Sequence, residues 1–340
     1  MAYQNVGTPR FYVDRYQWLK ALGAISGEQV PVNNGLNPTT THNWELNQSN
    51  SYNNYSGYDF EGGINVMANV NYLAVLGHKL KTINGHFNFS VDSYVSPADN
   101  YFAINATRNG DWYPDHDGFS IVEINPPDGD ANSDRVTLRI GSSNNTDVIT
   151  SIGSISYGTY YDIQAPDLSL KLSIESGGVK TIESKGGASL SNASYLKPAD
   201  WGDEGAWQLD GLSNLRLGRK TWDLSFSFIS DTDIFPVNAN QSHVALSTDG
   251  YHDGTNNPTT GYSDIAADGV SFVSNILDGK DFYSQVWNKT AAAGNLPFIF
   301  QPNKDNNNEF AICRFDMKSL KISQVGHNLY STSLKIRETW

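Results

Sequence analysis

Alternation of apolar and polar positions dominates the chain, and a period of two is the mark of strands whose side chains point to opposite faces. In Thr221-Trp-Asp-Leu-Ser-Phe-Ser-Phe228 the residues Trp222, Leu224, Phe226 and Phe228 fall on one side. That segment is expected to be a core strand with all four buried. His86-Phe-Asn-Phe-Ser-Val-Asp92 and Val136-Thr-Leu-Arg-Ile140 alternate in the same way. So does Leu168-Ser-Leu-Lys-Leu-Ser-Ile174, and Gly177-Gly178 then predicts a hairpin to a partner strand at 179–182. Tyr72-Leu-Ala-Val-Leu76 is apolar throughout, which suits a strand buried on both faces. Near the end, Leu296-Pro-Phe-Ile-Phe300 and the run at 310–315 read as strands. Tyr330, Thr332, Leu334 and Ile336 then alternate with polar residues up to Trp340. Phe298, Phe300, Tyr330, Leu334, Ile336 and Trp340 are therefore expected to be core or assembly residues.

Helical spacing is rare. Tyr16, Leu19 and Leu22 share one helix face, with Gly23 as a stop, so 14–22 is expected to be a short helix. A second helix is expected at 281–292, around Phe282 and Val286. Residues 31–59 are polar and rich in Asn, Thr and Tyr, and read as an extended arm ordered by a neighbouring chain. Residues 230–268 read as a long loop.

These elements predict a mainly β protein in three stretches. Residues 1–59 form the helix and arm. Residues 60–200 form a β-sandwich or jelly roll, because short strands at regular spacing suit those folds. Residues 205–340 form a second β domain with one helix, beyond a Gly-, Pro- and Asp-containing boundary near 186–206.

Composition supports this reading. The 340 residues include 8 Trp, 18 Tyr and 15 Phe, enough to fill sizeable cores. Charged residues make up 17%, too few for charge-driven disorder. Acids outnumber bases 36 to 23, which argues against specific nucleic-acid binding, since that rests on neutralising phosphates. No run reaches the roughly 20 apolar residues of a membrane span. The first residues lack a signal-peptide pattern, so synthesis and retention in a cytoplasm until assembly or lysis are expected.

Candidate chemistry is sparse. The chain has 1 Cys and 7 His, with no spacing typical of a metal-binding helix. Cys313, in an apolar run, reads as a buried and inert thiol. No phosphate loop, nucleophile elbow or His-Glu-x-x-His pair occurs, and no catalytic residue or organic cofactor is expected. Asp111, Asp115 and Asp117 share a Gly-containing loop, as do Asp128, Asp130 and Asp134. Oxygen-rich loops can hold calcium, and turn chemistry explains Asp and Gly equally well. Asp111, Asp115 and Asp117 are the candidate calcium ligands. Trp112, Tyr113 and Tyr101 are candidates for stacking sugars, or for core and interface anchors.

The segment from Arg219 through Phe228, the expected helix around Phe282-Tyr-Ser-Gln-Val-Trp287, Leu296-Pro-Phe-Ile-Phe-Gln-Pro302 and the closing Ile336-Arg-Glu-Thr-Trp340 resemble virion proteins of tailed bacteriophages. Their order is similar to the tail-tube fold of tube and distal-tail proteins. Asn71-Tyr-Leu-Ala-Val-Leu-Gly-His78 looks like strands of jelly-roll domains attached to such proteins. The resemblance implies a non-enzymatic virion subunit with a tail-tube-like domain at 205–340. It would self-assemble in a ring or tube and contact other virion proteins. The alternatives are a carbohydrate-binding adhesin or tail-fibre lectin that meets a host surface glycan, and a glycan depolymerase.

Overall fold

A computed structural model describes residues 7–14, 17, 18, 21, 51–52, 55–61, 72–78, 80–82, 84–91, 101–104, 106–109, 111–124, 135–142, 154–175, 181–191, 219–234, 281–307 and 309–339. Over these residues the protein is mainly β. The early strands are β1 (Arg10–Asp14), β2 (Ser51–Tyr52), β3 (Tyr55–Glu61), β4 (Tyr72–His78), β5 (Gly85–Val91) and β6 (Tyr101–Ile104). They are followed by β7 (Ala106–Asn109), β8 (Asp111–Pro114), β9 (Gly118–Ile124), β10 (Arg135–Ser142) and β11 (Ser154–Asp162). Next come β12 (Lys171–Glu175), β13 (Thr181–Glu183), β14 (Ser189–Ser191) and β15 (Arg219–Ser230). The last are β16 (Phe298–Gln301), β17 (Ala311–Phe315), β18 (Ile322–Gly326) and β19 (Leu329–Glu338).

An 11-stranded antiparallel sheet runs β12-β15-β19-β17-β16-β1-β11-β4-β9-β6, with β18 added alongside β19. A 6-stranded sheet runs β2-β3-β10-β5-β8-β7, and β13 pairs with β14 apart from both. The large sheet draws strands from before residue 60, from 60–200 and from beyond 205. Hydrogen bonding therefore does not divide the chain at 60 or near 200.

Burial explains why these segments are strands. The middle of the large sheet is covered on both faces. Phe11 and Val13 enter one core cluster with Trp222, Leu224, Phe298, Phe300, Phe315 and Ile336. Tyr12, between them, enters a second cluster with Tyr72, Ala74, Leu76, Ile121, Ile299 and Ile312. Phe282 and Val286 pack on the first cluster from a single π-helical turn, Tyr283–Trp287. The Asp281 carboxylate caps that turn, accepting from the Ser284 backbone N–H at 2.9 Å and from the Ser284 hydroxyl at 2.8 Å.

Several expectations agree with the structure. Tyr72 to Leu76 are buried throughout β4. Phe298 and Phe300 are buried on β16, and Leu334 and Ile336 on β19, with Tyr330 partly buried against the same core. Trp340 lies outside the described residues.

Other expectations need correction. Phe228 is 67% exposed while Ile229 is buried. The cause is a bulge. Phe226 pairs with Thr332 and Ile229 with Tyr330, so β15 spends three residues where β19 spends two, and an extra residue reverses which side chains face inward. The hairpin turn expected at Gly177-Gly178 lies outside the described residues, and among the described residues β12 and β13 do not pair with each other. β12 pairs with β15, and β13 turns at Gly186-Gly187 to meet β14. Gly187 supplies the positive φ of 80° that this turn requires.

The helix expected from residue 14 begins later. Asp14 ends β1 and its carboxylate accepts from the Gln17 backbone N–H at 2.9 Å, leaving residues 17, 18 and 21 helical. Helix at 281–292 is limited to the π-helical turn and the turns after it, through which the chain leaves for β16. Residues 55–59, expected in an arm ordered by a neighbour, belong to strand β3 (Tyr55–Glu61), which pairs with β10 of the same chain. The rest of the 31–59 stretch before residue 51 lies outside the described residues, as does the 230–268 loop beyond Ile234.

Candidate functional site

Polar chemistry concentrates on one face of the large sheet, because β1 alternates. Its odd positions are apolar, and its even positions Arg10, Tyr12 and Asp14 face the other way. Arg10 stands opposite Asp162 of β11 and Tyr12 opposite Tyr160. The guanidinium donates from Nε to Asp162 Oδ1 at 2.6 Å and from Nη2 to Oδ2 at 2.9 Å. Nη1 reaches Glu123 of β9 at 2.6 Å. The Arg10 guanidinium also lies over the Tyr160 ring, 4.1 Å from its centroid. The Tyr12 hydroxyl sits 2.7 Å from Glu123 Oε1 and 2.9 Å from Gln301 Oε1, and its single proton serves one of them at a time. Gln301 Nε2 donates to the carbonyls of Lys304 and Asn306, and Lys304 lies 3.4 Å from Asp162.

Arg10 and Lys304 balance Glu123 and Asp162 in charge. Burial alone lowers the Arg10 pKa, but the Asp162 and Glu123 carboxylates outweigh it and hold the guanidinium charged. Burial, then Glu123, pushes the Tyr12 hydroxyl far above its ordinary range. Each acid is engaged by a cation and the phenol is held neutral. The cluster ties β1, β9, β11 and β16 together and offers no activated nucleophile.

The acidic loop at 111–117 is a turn support in its described part. Asp117 is buried, and its two oxygens accept from the Thr82 backbone N–H at 3.1 Å and from the Thr82 hydroxyl. It thereby holds the bend between β4 and β5, where Asn84 takes a φ of 50°. Asp115 is exposed, and Asp111 opens β8 opposite Asn109. Among the described residues no three His, Cys, Asp or Glu side chains converge. Asp128, Asp130 and Asp134 lie outside the described residues.

Trp112 is buried, so its ring serves the core and is not presented for stacking. Tyr113 is exposed beside His86, with ring centroids 5.3 Å apart. The Tyr101 side chain lies outside the described set. Cys313 is fully buried on β17, which raises its thiol pKa well above the ordinary value.

The other concentrated feature is apolar. Of the exposed large hydrophobic residues, Leu172 and Ile174 lie on β12, Phe228 on β15, Val325 on β18 and Leu329 on β19. These are adjacent strands at one end of the large sheet, and β12 is its last strand. Leu168, just before β12, is also exposed. The register splits the strand residues into two groups: Leu172 and Ile174 lie beside Trp222 and Lys220 of β15, whereas Phe228, Val325 and Leu329 lie at the other end of β15, around Ile229 and Ser230. Sequence alternation hid this, because these residues obey the same pattern as core residues.

No known protein family, curated protein or solved structure matches this chain. Among the described residues no helix is long and apolar enough to cross a membrane.

Proposed function

We propose that this chain is a non-enzymatic structural subunit of a tailed-bacteriophage particle, in a tail tube, distal tail or adaptor ring, acting through contacts with its own copies and other virion proteins. The observation that carries the assembly part is the set of exposed apolar side chains on neighbouring strands of the large sheet, Leu172 and Ile174 on the edge strand β12 and, at the other end of β15, Phe228, Val325 and Leu329. Such a surface is stabilised when a partner covers it. The virion part rests on the resemblance of 219–228, 282–287, 296–302 and 336–340 to tail proteins. The acids around Arg10, and Asp117 beside Thr82, support strands and turns, which favours a scaffold over a hydrolase.

Light scattering on purified full-length protein, with negative-stain imaging, tests this reading. Defined oligomers, rings or tubes are the expected result. A monomer at all concentrations removes the assembly reading. Cleavage of a bacterial surface polysaccharide, abolished by Asp115→Asn with assembly intact, replaces it with the depolymerase alternative.

A further inference from the structure

Strand β12 ends the large sheet, with Leu172, Ser173 and Ile174 all exposed. One side of its backbone is bonded to β15, and among the described residues no strand pairs with the other side. Natural edge strands are commonly protected by an isolated Lys, a Pro or a bulge. Here the sequence Lys171-Leu-Ser-Ile-Glu175 carries opposite charges at its two ends and branched apolar residues between them.

We infer that β12 pairs antiparallel with β12 of a second copy of this chain, about a two-fold axis at Ser173. Antiparallel self-pairing at that centre sets Lys171 across from Glu175 of the second copy, and Glu175 across from its Lys171. Leu172 then meets Ile174 on the opposite face, and each pairing occurs twice because the contact is isologous.

The existing pairing with β15 extends the match. Lys171 already stands opposite Asp223, and Glu175 opposite Arg219. Across the junction the register reads Asp223, Lys171, Glu175 and Arg219, alternating in sign over four strands, and directly opposed unlike charges stabilise a sheet. On the other face Leu172 shares its row with buried Trp222. The added strand therefore prolongs the core side of the sheet over Leu172 and Ile174. Main-chain hydrogen bonds along the edge supply the remaining attraction.

This inference rests on the self-assembly part of the proposed function and is independent of the virion part. A two-fold contact closes after two copies, so a ring needs a second, head-to-tail surface as well. Phe228, Val325 and Leu329 lie off β12 and remain exposed for it.

The test uses Lys171→Glu and Glu175→Lys in the full chain, with folding checked by circular dichroism. Each variant alone sets like charges across the junction, and its self-association through this edge is expected to weaken about ten-fold or more. An equimolar mixture restores both opposite-charge pairs, so heterodimers are expected to form about as tightly as the wild type. Analytical ultracentrifugation with one variant labelled reads this directly. Wild-type protein that stays monomeric overturns both this inference and the assembly reading. Wild-type oligomers unaffected by either substitution, or variants that fail to rescue each other, overturn this inference alone.

Discussion

Arg10 and Asp162 stand opposite each other on β1 and β11 and meet as a two-pronged fork, at 2.6 and 2.9 Å. Glu123 holds the third prong of the same guanidinium. Removing the cation leaves two carboxylates facing one another in a site that is 12% exposed at Arg10. Breaking one partner of a buried pair costs about 3 kcal/mol or more, so Arg10→Met is expected to lower unfolding stability by that amount. Lys304 is more exposed and lies 3.4 Å from Asp162, and its replacement by Met is expected to cost less than about 1 kcal/mol. Urea unfolding of the two variants checks the contrast. A loss for Arg10→Met as small as that expected for Lys304→Met would show that the fork adds no more than an exposed ion pair.

Phe226 and Phe228 are chemically identical and two positions apart, and the bulge between Phe226 and Ile229 separates their roles. Phe226→Ala is expected to cost about 3–5 kcal/mol, as truncation of a buried aromatic does. Phe228→Ser is expected to change the stability of the isolated chain by less than about 0.5 kcal/mol, as surface substitutions do. Denaturant melts at a concentration low enough to suppress association decide it. A large loss for Phe228→Ser would mean that it packs within its own chain.

The mainly β character was legible because alternation is local: β4, β5, β10, β15, β16, β17 and β19 each overlap a segment expected to be a strand. What escaped was non-local. β1 carries Phe11, Tyr12 and Val13 into the centre of the large sheet, yet it spans only Arg10–Asp14 and is bounded by charges. Its place depends on pairing with β11 and β16, far along the chain. The polar cluster was illegible for the same reason, since Arg10, Glu123, Asp162 and Gln301 share no sequence spacing. The bulge in β15 was hidden too, because an extra residue leaves the alternation of Ser and Phe intact while reversing its meaning. Alternation does not single out Gly186-Gly187 as a turn, and the β13–β14 pairing shows it to be one.

Cys313 is fully buried between Phe298 and Glu338 in the strand register, and its thiol pKa is raised by burial, with Glu338 adding to the effect. Thiolate is the reactive form. In native protein this thiol is expected to resist a colorimetric disulfide reagent for as long as the fold persists, and to react at once in denaturant. Stoichiometric labelling of the native chain within minutes would place β17 at the surface and contradict the core assignment.

His78 offers the sharpest pH dependence. Leu80 donates its backbone N–H to His78 Nδ1 at 3.4 Å, and His78 Nε2 lies 3.0 Å from Ser120 Oγ. Burial pushes its pKa from 6.5 down to about 4, against a smaller upward pull from Asp117 and with a further downward push from His116. In the unfolded chain the imidazole takes up its proton near 6.5, and in the folded chain only near 4. Between those values acid protonates the unfolded chain alone. Stability is therefore expected to fall as the pH is lowered from about 6.5 to about 4, by about 3 kcal/mol from this group, with no further loss from it below that window. His78→Gln keeps a hydrogen-bonding amide for Ser120 and removes the titration. Chemical denaturation of both proteins at intervals from pH 7 to 4 isolates the contribution, because every other titrating group is common to the pair. The wild type should lose stability more steeply than the variant across this range. Parallel curves would mean that His78 is protonated as readily in the folded chain as in water, and its place in the core between β4 and β9 would have to be abandoned.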